Sequence, residues 1–305
     1  MTMTEPAPAA MQEHSYAIVR GLFDPETAAR LRQICERTEA AWRRAPRCEN
    51  PPVGPQANYM RHPNDPGYHC DHPDDLAFLL NAIAAPQVVA AMNEALDEEY
   101  VFGLASLYFN PSGESSDGFW HKDLIGAEAE VSKNPATGAG LQVQIALAPS
   151  DDLELVPGSH LRDFTPAEHA ICIADGKIHN RSNEMPGATR VVMEPGDAVL
   201  FTQLCIHRGR YHTDKLRRTL MISVKKKAAV KHTLRQRGLD YASDQPWFLH
   251  PDYLSGVEPE ARAFYQQFID SYESHWRAKL REVLQYSSLL RTLAESGASN
   301  PFFAA

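Results

Sequence analysis

The residues that could do chemistry gather in a few short runs. In GFWHKD, residues 118–123, a histidine and a carboxylate stand two positions apart. On a β-strand, residues i and i+2 share a face, so His121 and Asp123 would present an imidazole and a carboxylate side by side, a workable metal chelate. The same H-x-D pattern also describes a surface histidine beside an acid, so a third ligand is needed. The run PGDAVLFTQLCIHRGRYH, residues 195–212, offers one: a turn, an apolar strand, and then His207 at the strand's end. Two neutral imidazoles and a carboxylate on one face of an octahedral ion form the facial triad of non-heme Fe(II) oxygenases, leaving about three positions open for an oxidising cosubstrate and O2. The same donors also suit Zn2+, so a zinc hydrolase is a rival reading.

Residues 218–224, RTLMISV, read as a further strand. On it Arg218, Leu220, Ile222 and Val224 share one face, while Arg217, Thr219, Met221 and Ser223 share the other. The apolar set is expected to point into the barrel, taking Arg218 with it. A guanidinium buried there needs an anion, and its planar fork matches a carboxylate bidentately. The distal carboxylate of 2-oxoglutarate, whose other end would chelate the metal, has the right shape, and a structural ion pair with Asp or Glu is the alternative. A hydrolase would have no use for such an arginine.

A small barrel is what must position these groups. From Tyr100 onward, β-prone runs follow one another (YVFGLASLYF, LQVQIALA, LELV, TRVVM, DAVLFTQLCI, RTLMISVKK), separated by Gly, Pro, Asp and Asn turns. Upstream, DPETAARLRQICERTEAAWRR has an Asp cap, a proline at the first helical position and apolar residues at helical spacing. Residues 76–96 also read as helical, interrupted at Pro86. Residues 46–75 are crowded with Pro, Asn, Asp and Gly and read as a long covering loop; it carries His62, His69 and His72, which suit a polar cover better than a metal site. Residues 1–14 read as a disordered lead-in, 15–230 as the catalytic unit and 231–305 as a helical extension. That extension could pack on its own barrel or pair with a second copy in a homodimer.

Composition narrows the partners. The 305 residues carry a net charge of −9 with the signs interspersed, which argues against nucleic acid; the KKK at 225–227 is too short to change that and reads as a solvated edge. No apolar run is expected to span a membrane. Five scattered cysteines (Cys35, Cys48, Cys70, Cys172, Cys205) show no C-x-x-C and fit a reducing cytoplasm.

Together WHKD, the later VPGSH at 156–160, the strand ending at His207 and an arginine eleven places beyond it resemble the phytanoyl-CoA dioxygenase family of Fe(II)/2-oxoglutarate oxygenases. The resemblance implies a mainly β fold with flanking helices around a double-stranded β-helix, or jelly-roll, core. It also implies iron held by His121, Asp123 and His207, and 2-oxoglutarate gripped by Arg218. Family members often place a serine two residues after the second histidine to help hold the cosubstrate carboxylate; here Gly209 stands there, and another donor could take its place. Tyr108 lies where the family often keeps a polar cosubstrate contact. Gln142 and Gln144 share a face and line the cavity or face water. Arg208, Arg210, Tyr211 and His212 could meet an anionic substrate or solvent, Trp120 reads as packing beside the first ligand, and His160 as a structural residue.

Relatives that halogenate have a small residue at the carboxylate position. Asp123 occupies it, so hydroxylation of a C–H bond in a small, polar metabolite is expected, with O2 consumed and succinate and CO2 released. Desaturation, cyclisation or demethylation by the same cofactors is the alternative, and a non-catalytic jelly-roll that binds a small ligand is the rival from another class.

Overall fold

The computed structural model describes residues 2–3, 7–46, 53–123, 137–174, 184–233 and 244–286. Eleven strands are assigned: β1 (Thr2–Met3), β2 (Tyr16–Arg20), β3 (Tyr59–Arg61), β4 (Tyr100–Phe109), β5 (Ser116–Asp117), β6 (Gly140–Ala146), β7 (Ser150–Leu155), β8 (Thr189–Met193), β9 (Ala198–Thr202), β10 (His207–Tyr211) and β11 (Arg218–Lys226). The helices are α1 (Ala7–His14), α2 (Pro25–Arg44), α3 (Pro73–Ile83), α4 (Pro86–Ala95), α5 (Pro166–His169), α6 (Lys227–Thr233) and α7 (Pro259–Tyr286). The strands form two antiparallel sheets, a larger one in the order β1-β2-β9-β6-β11-β4-β3 and a smaller one in the order β5-β10-β7-β8. Facing each other, they make the jelly-roll expected from the run of short strands.

The larger sheet is buried on both faces, and this decides where its side chains go. Its outer face (Leu107, Phe109, Leu220, Ile222, Val224, Val143, Ile145, Leu200) joins a large apolar core with the helices. From α2 come Leu31, Ile34, Cys35 and Trp42, and from α7 Tyr265, Phe268, Tyr272 and Trp276. Its inner face is split. Toward β9 and β2 the space between the sheets is filled by Ala146, Val199, Phe201, Leu153, Leu155, Val191 and Met193. Toward β4 and β11 the same inner face carries polar side chains, and the site lies there.

Local chemistry explains the helices. Asp24 caps α2 by accepting from the Thr27 amide at 2.7 Å, with Pro25 in the first turn. Pro86 separates α3 from α4, as its missing N–H requires. Together they make an apolar stretch, Pro73–Ala95, whose most apolar 18-residue window has mean hydropathy 1.5; length and composition alone would let it cross a membrane, but 56% of that window is buried in this core, as for core helices. Tyr265, Phe268, Tyr272 and Trp276 of α7 are buried against its own chain. Trp276, fully buried and packed on Phe268 at 5.1 Å and Tyr272 at 5.7 Å, anchors it. Trp276→Ala should cost about 3–5 kcal/mol in chemical denaturation; a loss below about 1 kcal/mol would show that α7 is not part of the cooperative core.

Three expectations need correction. Residues 7–14 are a helix, not a disordered lead-in, because Ala7, Ala10 and Met11 bury against the core. The covering loop is partly built: β3 pairs with β4, and Asp65 caps a short 3-10 turn at Pro66–Tyr68. The lysine run is no solvated edge, since Lys226 is buried and pairs with Glu98 at 2.6 Å. Cys48 and the first part of that loop, 47–52, lie outside the described residues, as do 234–243 and 287–305 of the C-terminal extension.

Candidate active site

His121 and His207 meet across a strand-like bridge. Each donates its backbone N–H to the other's carbonyl, at 3.1 and 2.9 Å, so the two imidazoles stand side by side with centroids 4.3 Å apart. Asp123 follows the turn out of that bridge, its amide donating to the Gln203 carbonyl at 3.0 Å. Its carboxylate lies 3.0 Å from His121 Nε2 and 3.8 Å from His207 Nε2. One ligand atom from each of the three residues lies within 4.8 Å of the other two, close enough to hold a single metal ion.

The tautomers suit that task. His121 Nδ1 donates to the Phe119 carbonyl at 2.8 Å and His207 Nδ1 to the Cys205 carbonyl at 3.0 Å. A carbonyl thus occupies Nδ1 of each ring, and it is the two Nε2 atoms that face the carboxylate, where a metal ion would displace the proton His121 shares with Asp123. Burial pushes His207 down to about 4, helped by the neighbouring His121, so it is neutral and ready to ligate near neutral pH. Burial also opposes charge on His121, but the hydrogen bond and charge of Asp123 outweigh it and raise the group. Asp123 is held below the ordinary carboxylate range: burial acts against this, and His207, His121 and Gln142 overcome it.

Gln142 on β6 donates its side-chain amide to Asp123 Oδ2, fixing the carboxylate's orientation. Gln142→Leu should weaken Fe(II) binding about 10- to 100-fold, the usual cost of removing a ligand's hydrogen-bond partner, read in an anaerobic metal titration. An unchanged affinity would mean that Asp123 orients itself.

The rest of the polar inner face is unsatisfied. Gln144 Oε1 and Thr219 Oγ1 are buried without hydrogen-bond partners. Arg217, 1% exposed, donates Nη1 to the Arg210 carbonyl at 2.8 Å, leaves Nε without an acceptor, and has no ion pair among the described residues. Its guanidinium lies 4.4 Å from the Tyr211 ring and 5.2 Å from the Tyr108 ring, and Tyr108 in turn feels the charge of Asp123. Asp152 feels its charge without contacting it, and a buried cation with no carboxylate in direct contact is costly, so an anionic ligand would relieve it.

The family model for phytanoyl-CoA dioxygenase (PhyH) matches residues 11–219 of this chain, more than half of its length. The chain belongs to the phytanoyl-CoA dioxygenase family. Solved structures agree on the fold. EctD from S. alaskensis with bound Fe is 17% identical over 73% of this chain and 76% of its own, with a TM-score of 0.52. The non-heme alpha ketoglutarate dependent epimerase SnoN, from nogalamycin biosynthesis, is 18% identical over 73% and 81%, with a TM-score of 0.51. EctD crystallised with 2-oxoglutarate and 5-hydroxyectoine gives 16% over 73% and 76%, at 0.50. No curated protein matches the sequence.

This phytanoyl-CoA dioxygenase family member is therefore a non-heme iron enzyme whose cofactors are iron and 2-oxoglutarate, and its cavity fits both. The donor set of His121, Asp123 and His207 is that of a ferrous facial site, with room left on the metal. The arginine on the inner face differs from the one the sequence reading expected there. Arg218 does stand with Leu220, Ile222 and Val224, but that face packs on the helices, and its guanidinium lies 3.6 Å from Glu36 and 3.8 Å from Glu39 of α2. Arg217, on the opposite face, is the arginine in the cavity.

The other expected residues divide between the two sides of the barrel wall. Tyr108, Gln142, Gln144 and Gly209 lie on the cavity side, in register with Thr219, Met221, Ser223 and His207 or their strand neighbours. Arg208 and Arg210 alternate with His207 and Gly209 and so face out of the smaller sheet. There Arg208 binds Glu154 and lies 4.5 Å over the Trp120 ring, and Arg210 binds Asp117 at 3.0 Å. Neither meets a ligand at the metal, which corrects the substrate assignment of both. Trp120 packs with Val156, Met185 and Ile206 behind the same sheet. His160 is buried away from the triad, and His62 packs edge-on against Trp247 at 5.5 Å. His69 bonds the Pro63 carbonyl at 2.7 Å, and no metal cluster forms around these loop histidines among the described residues. Sequence reasoning placed Arg217 on the face away from the barrel interior and offered Tyr211 only as a contact to an anionic substrate; the polar alternation of Arg217, Thr219 and Ser223 was the available sign.

Proposed function

We propose that the protein hydroxylates an unactivated C–H bond of a small, polar metabolite, consuming 2-oxoglutarate and O2 and releasing succinate and CO2. The observation that carries this reading is the carboxylate of Asp123, ion-paired with His121 and hydrogen-bonded by Gln142 at the coordination position that halogenating relatives leave to chloride. His121, Asp123 and His207 hold the metal from one side. Arg217 takes the distal carboxylate of the cosubstrate and so orients its keto acid end toward the triad. When bound, iron and 2-oxoglutarate supply the oxidising power that removes hydrogen from carbon and returns hydroxyl. The protein's share is placement and exclusion of water. Phe119 lies tilted at 43° against the His121 ring at 4.6 Å, and Phe201 meets the His207 ring edge-on at 5.0 Å, so apolar rings flank both imidazoles. The amides of Gln142 and Gln144, the hydroxyl of Thr219 and the phenol of Tyr108 suit a substrate with its own hydrogen-bonding groups rather than a bare hydrocarbon.

The test is a screen for succinate release across acyl thioesters, amino-acid derivatives and secondary metabolites, run in isotopically labelled O2. A product heavier by one labelled oxygen is expected. Turnover to a product of unchanged mass, or one lacking two hydrogens, would replace hydroxylation with epimerisation or desaturation.

A further inference from the structure

Gly209 and Tyr211 are two residues apart on β10 and point to the same side, into the cavity. Because Gly209 has no side chain, the Tyr211 ring leans back along the strand and fills the space above it. A Cβ built on Gly209 would lie 2.8 Å from the Tyr211 phenol oxygen, 3.1 Å from its Cζ and 2.8 Å from Arg217 Nη1. The hydroxyl of Tyr211 therefore sits in the volume that a side chain at 209 would occupy, next to the Arg217 guanidinium, whose Nε has no acceptor. Tyr211 is 9% exposed, so its hydroxyl has little access to water. Burial raises the phenol's pKa while Arg217 opposes it, and the net rise leaves a protonated O–H, a donor, at neutral pH. Arg217 hydrogen-bonds the same oxygen, which leaves the phenol proton free to point elsewhere.

We propose that Tyr211 is the second donor to the distal carboxylate of 2-oxoglutarate, beside Arg217, and replaces the hydroxyl that relatives supply from a serine at the position of Gly209. The proposal rests on the cosubstrate reading of Arg217 given above. It makes the glycine a requirement: residue 209 must lack a side chain for the phenol and the guanidinium to converge on one anion. Tyr211 is then a cosubstrate-binding residue and Gly209 a positioning residue that acts through it.

The test uses the full chain loaded anaerobically with Fe(II) and titrated with keto acids, the visible charge-transfer absorption of the chelate giving the affinity. Tyr211→Phe keeps the ring and removes the donor, so the 2-oxoglutarate Kd should rise about tenfold, the worth of one hydrogen bond to a charged group. With 2-oxobutanoate, which lacks the distal carboxylate, Tyr211→Phe and the parent protein should bind equally. Fe(II) affinity should not move. Gly209→Ala, which puts a methyl where the phenol and guanidinium meet, should weaken 2-oxoglutarate at least as much. An unchanged 2-oxoglutarate Kd in Tyr211→Phe, or an equal loss for both keto acids, would overturn the proposal, the latter by showing a purely structural role. Arg217→Ala is titrated alongside. If it loses 2-oxoglutarate affinity while Tyr211→Phe does not, only the tyrosine's role falls; if neither loses affinity, the cosubstrate reading of the cavity falls with it.

Discussion

His207→Ala should lose both Fe(II) binding and succinate formation while keeping its fold. The imidazole is one of three donors, and with it gone His121 and Asp123 are left as a two-point chelate. Removing a mere supporting partner of a ligand costs up to about 100-fold in metal affinity, so removing the ligand should cost more than that. Stability should change little, by about 1 kcal/mol, near the centre of what single substitutions do. The backbone of residue 207 still exchanges its two hydrogen bonds with residue 121, and alanine removes a buried polar ring rather than a core hydrophobe. Anaerobic metal titration, succinate assay and thermal unfolding on one preparation separate these effects. Full iron loading with normal succinate release would remove His207 from the metal site.

The second large effect is expected from two adjacent arginines that should behave in opposite ways. Arg217→Ala removes the buried guanidinium of the inner face and should raise the Kd for 2-oxoglutarate by about 100-fold or more, since a bidentate, charge-assisted contact in a desolvated site is among the stronger polar interactions. Arg218→Ala should leave that Kd within about twofold. Its side chain, 18% exposed, lies outside the larger sheet beside Glu36 and Glu39, and a partly exposed pair of this kind contributes about 1 kcal/mol or less to stability. Calorimetric titration of 2-oxoglutarate into both variants distinguishes them. If Arg218→Ala is the variant that loses the cosubstrate, β11 is turned over relative to the structure described here.

That pair also shows what the sequence could and could not convey. The triad was legible because H-x-D on a strand and a histidine at the end of an apolar strand are local patterns, and the barrel that unites them was implied by the many short strands. The facing of β11 was not legible. Its alternation was read correctly, but with helices on one side of the larger sheet and a cavity on the other, both faces are buried, so the rule that apolar residues point inward has no unique answer. The apolar face went to the helices, which offered Leu31, Ile34 and Trp42, and the polar face went to the ligand cavity. Arg208 and Arg210 misled for a related reason: their loop-like composition concealed a strand whose outward face is an ion-pair network with Glu154 and Asp117. Tyr211 was legible only as a member of the polar HRGRYH run, since its place over Gly209 depends on the missing side chain there.

The most direct test of the central claim is an anaerobic titration of the intact protein with Fe(II) in the presence of 2-oxoglutarate, followed in the visible region. A weak charge-transfer absorption that saturates at one iron per chain, and that fails to form in His207→Ala, is the expected result. Failure of the parent protein to develop that absorption at saturating iron and 2-oxoglutarate would contradict the assignment of the three side chains to a ferrous, keto-acid-binding centre.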